Sequence, residues 1–409
     1  MRTLVIAGDY PWPTDTGTRM RLSMTLRGLR RCGPTELLSV ISKFRTEFGD
    51  PEEAAGLDKV ERFGLDNRIP QGVGVVPTLY RPDMPLGMAW RDRPMVTRAA
   101  DRFMSGRYDL IWFFGIRQWV LTGERSPAPT VIDLDDLEDQ KILARLSVPR
   151  LGDRTVVGRA RQLGARLVSQ EEVRRWQRLQ RKASRAGVTT VVCSEIDARR
   201  VTASGVEHVS VVPNGYLAVT DPVGRVAVGS PPTVLFQGLL VYPPNADAAQ
   251  WLALEVGPAL RSLDPSVQIR LVGDHRPDLD FLDDPPRVTL TGRVPAIASE
   301  LARADVVMVP LRYGSGTRLK ILEAFAHGIP VVSTPLGAEG LDLVDGVHLL
   351  VAETASGLAA ACHRLLTEPQ LRRDIVANAR AHFLERFQSS VIEADIERLA
   401  RRLADGSLR

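Results

Sequence analysis

The chain of 409 residues has little cysteine and no long apolar run. Cys32, Cys193 and Cys362 are scattered and odd in number, which argues against a disulfide framework or a zinc site and favours buried structural thiols. No apolar run approaches the ~20 residues that a membrane span needs. The first run, Leu4 to Ala7, is too short for a signal-peptide core, so we expect a cytoplasmic protein.

Lysine and histidine are also scarce, which restricts the available chemistry. The five lysines include only Lys320 after Lys182, and all six histidines lie at His208 or later. The first half of the chain therefore cannot use histidine as an acid or base. The net charge of +4 is modest, and we expect no nucleic-acid partner.

One segment is strongly basic, because residues 150–187 carry eleven arginines and lysines in a helical pattern. Such a surface can contact an anionic membrane, which would place the protein peripherally at the inner membrane face, or can bind an anionic acceptor. A charged, solvent-facing helix is the commoner explanation.

The length and the average globular composition, 44% apolar and 25% charged, fit two domains of ordinary size. Apolar runs predict strands at 2–7, 35–41, 109–113, 130–134, 188–193, 233–236, 268–272, 288–290 and 305–310. Helices are predicted at 19–31 and 246–263, and from 356 to the end with a break near Pro369. The last of them, 391–403, has Ile392, Ile396 and Leu399 as its inner stripe.

A distinctive stretch runs from Tyr313 to Leu341. A loop of small residues, 314–317, is followed by Arg318, Lys320 and a helical pattern. Backbone N–H groups at a helix start attract phosphate, and Lys320 adds positive charge. Glu323 shares that helix face and can accept hydrogen bonds from a ribose diol. These features indicate a nucleotide-sugar site, although a surface loop with a helix-stabilising Lys–Glu pair would contain the same residues.

This stretch resembles the donor-site signature of GT-B-fold retaining glycosyltransferases of family four, glycosyl transferases group one. The usual signature has two glutamates eight positions apart; the second matches Glu323 and the first falls on Ser315, as in the Gly-Ser-Gly-Thr-Arg-Leu-Lys variant. The match is specific over residues 233–352 and looser before them. It implies an α/β fold with two Rossmann-like domains facing each other across a cleft, 1–216 completed by about 388–409, and 217–387. The domain boundary falls near 217–231, and the last helix crosses back to the N-terminal domain.

The resemblance also implies roles for individual residues. Lys320 and Arg318 are predicted to be catalytic, because they would stabilise charge on the leaving diphosphate, whereas Glu323 would orient the ribose. Many family members grip the diphosphate with an Arg and a Lys after the strand at 233–236, but this chain has no cation between Arg225 and Arg261. The other predicted donor-binding residues are Gly17, Gly238, Arg293, Val294, Ser315, Gly316, Thr317 and Glu339.

The N-terminal half is predicted to hold the acceptor. A strand, a loop with Pro and Gly, and a helix open a Rossmann-like unit without a G-x-G-x-x-G fingerprint. By the same resemblance, Thr18 and Arg21 are the predicted acceptor-binding residues; a connecting loop with a helix cap is the alternative.

Two aspartates follow the strand at 130–134. Asp135 and Asp136 are predicted to position an acceptor hydroxyl as catalytic residues, and plain strand-end acids are the alternative. A D-x-D can also hold a divalent metal, but this one lies in the half remote from the donor motif, so we expect neither metal nor cofactor.

The sequence therefore predicts a retaining glycosyltransferase. It would move a sugar from a nucleotide-diphosphate sugar, by default a UDP-sugar with GDP or dTDP open, to a saccharide, lipid-linked or natural-product acceptor. One alternative is a nucleotide-sugar epimerase of the same fold, which the lack of N-terminal histidine weakens. The other is a non-catalytic partner of a transferase, suggested by the missing first glutamate and the missing diphosphate cations.

Overall fold

The protein has two compact units, residues 1–214 with 390–409, and residues 215–389. The computed structural model describes residues 1–42, 56–65, 82–88, 100–101, 103–147, 156–220, 230–314, 316 and 318–407. Most of the predicted boundary region, 217–231, lies outside the described residues. Each unit is built on one parallel sheet, as expected of a Rossmann-like domain.

The sheet of the first unit has the strand order β3-β2-β1-β4-β5-β6-β7, with every neighbouring pair parallel. The strands are β1 (Thr3–Ala7), β2 (Thr35–Ser42), β3 (Lys59–Leu65), β4 (Leu110–Phe114), β5 (Thr130–Leu134), β6 (Thr189–Val192) and β7 (Val209–Val211). Its helices are α1 (Gly17–Arg30), α2 (Ile116–Leu121), α3 (Glu138–Ser147), α4 (Val156–Arg185) and α5 (Glu195–Ala203), with a 3₁₀ turn at Leu86–Met88.

Both faces of this sheet are covered. In β1, Leu4 and Ile6 belong to one buried cluster and Val5 and Ala7 to another, because successive side chains of a strand point to opposite faces. This two-sided burial explains why the strands appear in the sequence as continuous apolar runs. The predicted strands are confirmed within a residue or two, while β3 lies in a region where we predicted no element.

The last helix, Ser389–Ala404, packs against α1 inside the first unit. Its predicted inner stripe is confirmed, because Ile392, Ile396 and Leu399 are buried. A Cβ atom on Gly28 would lie 2.7 Å from the Glu393 carbonyl oxygen, so the glycine permits the close approach of the two helices. The return of the C-terminal helix to the N-terminal domain is therefore confirmed.

The sheet of the second unit has the strand order β10-β9-β8-β11-β12-β13, again all parallel. The strands are β8 (Thr233–Gln237), β9 (Gln268–Val272), β10 (Val288–Gly292), β11 (Val306–Val309), β12 (Val331–Ser333) and β13 (Leu350–Val351). The helices are α6 (Pro243–Trp251), α7 (Gly257–Arg261), α8 (Ala298–Leu301), α9 (Leu319–Ala326), α10 (Ala355–Thr367) and α11 (Pro369–Arg386), with a 3₁₀ segment at Pro277–Leu282; the last helix, Ser389–Ala404, is α12.

The single helix predicted over 246–263 is wrong in its detail. The segment starts at Pro243, runs as π-helix over Leu252–Val256 and ends with α7. Pro258 lacks an N–H and its ring clashes with the carbonyl group four residues earlier, which accounts for the widened turn before it. The N-cap residue is Tyr242, and Asn245 lies within the first turn of the helix.

The basic segment predicted at 150–187 corresponds largely to α4, although residues 150–155 lie outside the described part. Leu163, Leu167 and Val168 are exposed on this helix. None of the described helices has the length and apolar character required to cross a bilayer. Contact between α4 and a membrane surface stays a prediction.

In both sheets the strand order reverses beside the first strand of the unit. The reversal lies between β1 and β4 in the first unit and between β8 and β11 in the second. Ligands of open α/β sheets bind beyond the carboxyl ends of the strands at such reversals. These two crevices are therefore where the predicted site residues should be sought.

Candidate functional site

In the second unit, the side chain of Lys320 lies over the carboxyl end of β8. Leu322 and Phe325 are buried in the core, which fixes the orientation of α9. Lys320 Nζ donates a hydrogen bond to Asn245 Oδ1 at 2.8 Å and lies 4.4 Å from the centroid of the Phe236 ring. The structure thus confines a single ammonium group in a notch between the ends of two helices and one strand.

One glycine lies beside the ammonium group, and a second approaches the backbone of the first. Gly238 has φ 154°, and a Cβ atom there would lie 3.0 Å from Asn245 Nδ2 and 3.1 Å from Lys320 Nζ. Gly273 has φ 140°, and its Cβ would lie 1.8 Å from the carbonyl oxygen of Gly238. A larger residue at either position would be strained, and at Gly238 it would also fill the space beside the ammonium group.

The environment of Lys320 favours its neutral form. Burial and the neighbouring Arg318 lower its pKa to about 7, and Glu323 offsets part of this shift. Arg318, the N-cap residue of α9, is itself buried, with 7% of its surface exposed. An anion placed in the notch would favour the charged form of Lys320 and would be bound by it.

Glu323 is held in place by two residues that sequence reasoning missed. Tyr216 Oη donates to Glu323 Oε1 at 2.8 Å, and Gln237 Nε2 donates to Glu323 Oε2 at 3.2 Å. Burial raises the pKa of Glu323, while these two hydrogen bonds act in the opposite direction. Burial and the adjacent Glu323 raise the pKa of Tyr216, so its phenol stays protonated as a donor. The carboxylate is therefore oriented before any ligand arrives.

The other predicted donor residues are distributed along the carboxyl edge of the sheet or lie elsewhere. Arg293 is exposed beyond edge strand β10, and Val294 packs against the core. Glu339 is half-buried in the turn after β12. Gly316 has φ 82°, a left-handed conformation that favours glycine, whereas Ser315 and Thr317 lie outside the described residues. Gly17 belongs to the first unit, where it opens α1.

The first unit contains a cavity of about 570 Å³ beyond the ends of β1, β4 and β5. Asp135 and Asp136 both line it, as does Thr18, whose Oγ1 donates to Asp135 Oδ2 at 2.9 Å. Burial, together with the neighbouring Asp136, raises the pKa of Asp135 to about 6. Asp136 Oδ2 lies 2.9 Å from Lys141 Nζ. The structure thus brings Thr18, Asp135 and Asp136 together at one site.

The acceptor-binding prediction for Arg21 is not supported. Its side chain is 1% exposed, and its Nε and Nη2 donate to Asp133 Oδ1 at 2.9 and 2.7 Å. Its Nη1 donates to the carbonyl oxygens of Val212 and Pro213 and to Asn214 Oδ1. Arg21 therefore ties α1, β5 and the segment after β7 together, and its donors face protein atoms.

The aspartates after β5 do not form part of a larger ligand cluster. Among the described residues, no group of three or more His, Cys, Asp and Glu side chains is placed to hold a metal ion. The three cysteines are free and buried, as predicted.

Comparison with known proteins identifies a family and a curated relative that match part of the chain. Residues 231–368 match the family Glycosyl transferases group 1. A phosphatidyl-myo-inositol mannosyltransferase of Mycolicibacterium smegmatis is 34% identical over 176 residues, which are 41% of this chain. The matched part spans only 44% of that relative.

Solved glycosyltransferase structures share the fold over nearly the whole chain. Sucrose-phosphate synthase from Thermosynechococcus elongatus has a TM-score of 0.69 at 16% identity, covering 99% of this chain and 100% of that one. HepE from Anabaena, solved with UDP and glucose, has a TM-score of 0.62 at 18% identity, covering 98% and 100%. At these identities the likeness establishes the fold, which is GT-B.

Proposed function

We propose that this member of the glycosyl transferases group 1 family, which has the GT-B fold, transfers a sugar from a nucleotide-diphosphate sugar to a hydroxyl-bearing acceptor. The donor binds the second unit, and a UDP-sugar is the first candidate. The acceptor, a saccharide, lipid-linked or natural-product molecule, binds the first unit. The anomeric configuration is retained, and the reaction needs no metal ion.

The observation that carries this proposal is the pairing of Lys320 and Glu323 on one helix face at the β8–β11 reversal. Lys320 supplies a confined positive charge above the open backbone of Gly238, which suits a diphosphate. One helical turn away, Glu323 presents a fixed carboxylate, which suits a ribose diol. A nucleoside diphosphate carries both of the groups that this pair suits, the diphosphate and the ribose diol.

In the proposed reaction, the acceptor oxygen forms a bond to the anomeric carbon while the bond from that carbon to the diphosphate breaks. The diphosphate leaves with the electron pair, and Lys320 and Arg318 stabilise its developing charge. The hydroxyl proton passes to the leaving phosphate on the same face of the sugar, which accounts for retention. No side-chain nucleophile is required.

Asp135 is proposed to orient the acceptor hydroxyl. Its carboxylate already accepts from Thr18, which fixes its direction in the cavity. A pKa near 6 leaves it ionised at neutral pH and able to accept a hydrogen bond from a hydroxyl group. Asp136, paired with Lys141, is proposed to limit the movement of the loop after β5.

Two relatives support the choice of donor and acceptor classes. HepE was solved with UDP and glucose and also with UDP-glucose, which supports a UDP-sugar for this chain. The mycobacterial relative is a mannosyltransferase whose name gives a lipid-linked acceptor. Neither observation identifies the sugar that this chain transfers.

A thermal-shift panel of UDP, GDP, dTDP and ADP tests the donor first, because a ligand that binds only the folded state raises its stability. Release of nucleoside diphosphate from the matching nucleotide sugar then tests the chemistry. We expect Lys320→Ala and Glu323→Ala each to reduce this release at least about tenfold. Arg312→Ala is the matched control, because Arg312 lies in the loop before α9 and pairs with Asp247.

Near-normal release in both variants would contradict the proposed site. Binding of a nucleotide without release would favour a non-catalytic partner. Interconversion of two nucleotide sugars without release would favour an epimerase. NMR analysis of the glycoside product distinguishes retention from inversion.

A further inference from the structure

The cavity of the first unit contains a polar side chain to which neither the sequence nor the proposed reaction assigns a role. Gln118, in the first turn of α2, lines the cavity although only 6% of its surface is exposed. A Cβ atom on Gly8 would lie 1.9 Å from Gln118 Nε2, so the amide occupies the space that a larger residue at the end of β1 would need. The fold thus makes room for this amide beside the cavity.

Gln118 differs from the other polar groups around it. Its side-chain amide makes no hydrogen bond with any residue that the structure describes, whereas its neighbours are engaged. Asp135 accepts from Thr18, Asp136 pairs with Lys141, and Arg117 Nη2 donates to Glu138 Oε1 at 3.0 Å. The amide atoms of Gln118 do not belong to the fully buried side-chain atoms without a partner, so they are open to the cavity and accessible to a ligand.

The charges of the cavity limit what that ligand can be. The carboxylates that line the cavity are Asp9, Asp135, Asp136 and Glu138, and the cations are Arg117 and Lys141. Arg117 pairs with Glu138, and Lys141 pairs with Asp136. Asp9 pairs with Arg19 just outside the lining, so Asp135 is the lining carboxylate that no cation pairs with within the described residues. A phosphate group would meet this negative charge, whereas a neutral hydroxyl-bearing ring would not be repelled by it. Phe114 and Ile116 add apolar surface suited to the C–H face of such a ring.

We propose that Gln118 is a specificity-determining residue that binds two neighbouring hydroxyl groups of the acceptor ring. One hydroxyl oxygen accepts from Nε2, and the next hydroxyl donates to Oε1, which is the pairing that a carboxamide allows and a carboxylate or an ammonium does not. The ligand class is a neutral saccharide or cyclitol ring with no phosphate at this position. This inference rests on the proposed function, because it takes the cavity to be the acceptor site.

The test measures binding of small probes to the full-length protein by saturation-transfer NMR and by competition. The probes are methyl α-D-glucopyranoside, myo-inositol and N-acetylglucosamine as neutral rings, with inorganic phosphate as the anion. We expect at least one neutral ring to bind the wild type and Gln118→Leu to weaken it about tenfold, the effect of losing two hydrogen bonds. Gln118→Glu, which keeps the shape but loses the N–H donors, should also weaken binding.

Gln140→Leu is the matched control, because its amide donates to Asp139 on α3 and does not line the cavity. It should bind the neutral rings as the wild type does, and UDP affinity should be the same in all four proteins. The inference is overturned if no neutral ring binds, if phosphate binds in preference, or if binding in both Gln118 variants stays within about twofold of wild type. If the wild type does not bind UDP at all, that result would instead contradict the proposed function.

Discussion

The two units share a topology but contain opposite chemistry at the strand-order reversal. In the first unit, the crevice contains a carboxyl group, Asp135, whose pKa is raised to about 6. In the second, it contains an ammonium group, Lys320, whose pKa is lowered to about 7. Burial shifts each group toward its neutral form, and each is ready to gain a hydrogen bond or a counter-charge from a ligand.

The contrast also shows two uses of a buried cation. Arg21 donates to Asp133 and to three backbone or side-chain oxygens. Burial lowers its pKa, but Asp133 and, to a smaller extent, Cys193 and Asp135 raise it above the ordinary value. Lys320 has one neutral hydrogen-bond partner, Asn245, and no ion pair within the described residues. The same sheet architecture thus places a structural cation in one unit and, in the proposed function, a ligand-binding cation in the other, since the strand-end residues and not the fold determine the chemistry.

The largest effect, on the free energy of unfolding, is expected from breaking the buried ion pair between Arg21 and Asp133. Arg21→Met would leave Asp133 buried without a counter-charge, and removing one partner of a buried pair costs about 3–5 kcal/mol. Chemical denaturation followed by tryptophan fluorescence measures this, because Trp112 Nε1 contacts Asp133 Oδ2 at 3.3 Å. Adding Asp133→Leu should recover part of the loss. An unchanged unfolding midpoint in Arg21→Met would remove the distinction between the two cations.

Lys320→Met should show the reverse pattern. Because burial lowers the pKa of Lys320, this lysine favours the unfolded state at neutral pH, and its removal should raise the unfolding midpoint. UDP affinity should fall by up to about a hundredfold, the effect of losing a confined cation opposite a diphosphate. Isothermal titration with UDP measures this. A clear loss of stability with unchanged UDP affinity would assign Lys320 a structural role.

The pH dependence should combine both units. Asp135 must be ionised to accept a hydrogen bond from the acceptor, so kcat/KM should rise as the pH passes about 6. Lys320 must be protonated to bind the diphosphate, so kcat/KM should fall as the pH passes about 7, about tenfold per unit. In the plot of kcat/KM against pH, Asp135→Asn should remove the rise near pH 6, and Lys320→Arg should remove the fall near pH 7. If the rise or the fall persists in the corresponding variant, a group other than Asp135 or Lys320 is responsible for it.

Local patterns allowed much of the fold and part of the site to be predicted. Two-sided burial made the central strands continuous apolar runs, and helical spacing placed Lys320 and Glu323 on one face of α9. Pro258 also marks a break in the helical segment 243–261, but helical spacing alone does not predict the π-helical turn over Leu252–Val256 that precedes it.

The partners of the site residues could not be predicted in this way. Tyr216 is 107 residues from Glu323 and Gln237 is 86 residues away, and no local pattern joins them. Arg21 reaches Asp133 across 112 residues of chain, so its position near the loop after β1 was mistaken for exposure to a ligand. Such pairs depend on which strand ends lie side by side, which only the sheet order determines.

The smallest effect on UDP affinity should come from removing the hydroxyl group of Tyr216, which contacts Glu323. Tyr216→Phe removes one of the two hydrogen bonds that orient Glu323, worth about 1 kcal/mol, so UDP affinity should fall about fivefold. Tyr108→Phe is the matched control, because it removes a 2.9 Å hydrogen bond to Glu36 in the first unit. Isothermal titration should detect a change only in Tyr216→Phe. Equal UDP affinity in the two variants would mean that the orientation of Glu323 does not contribute to nucleotide binding, and the carboxylate would then belong to the architecture of α9 instead of the donor site.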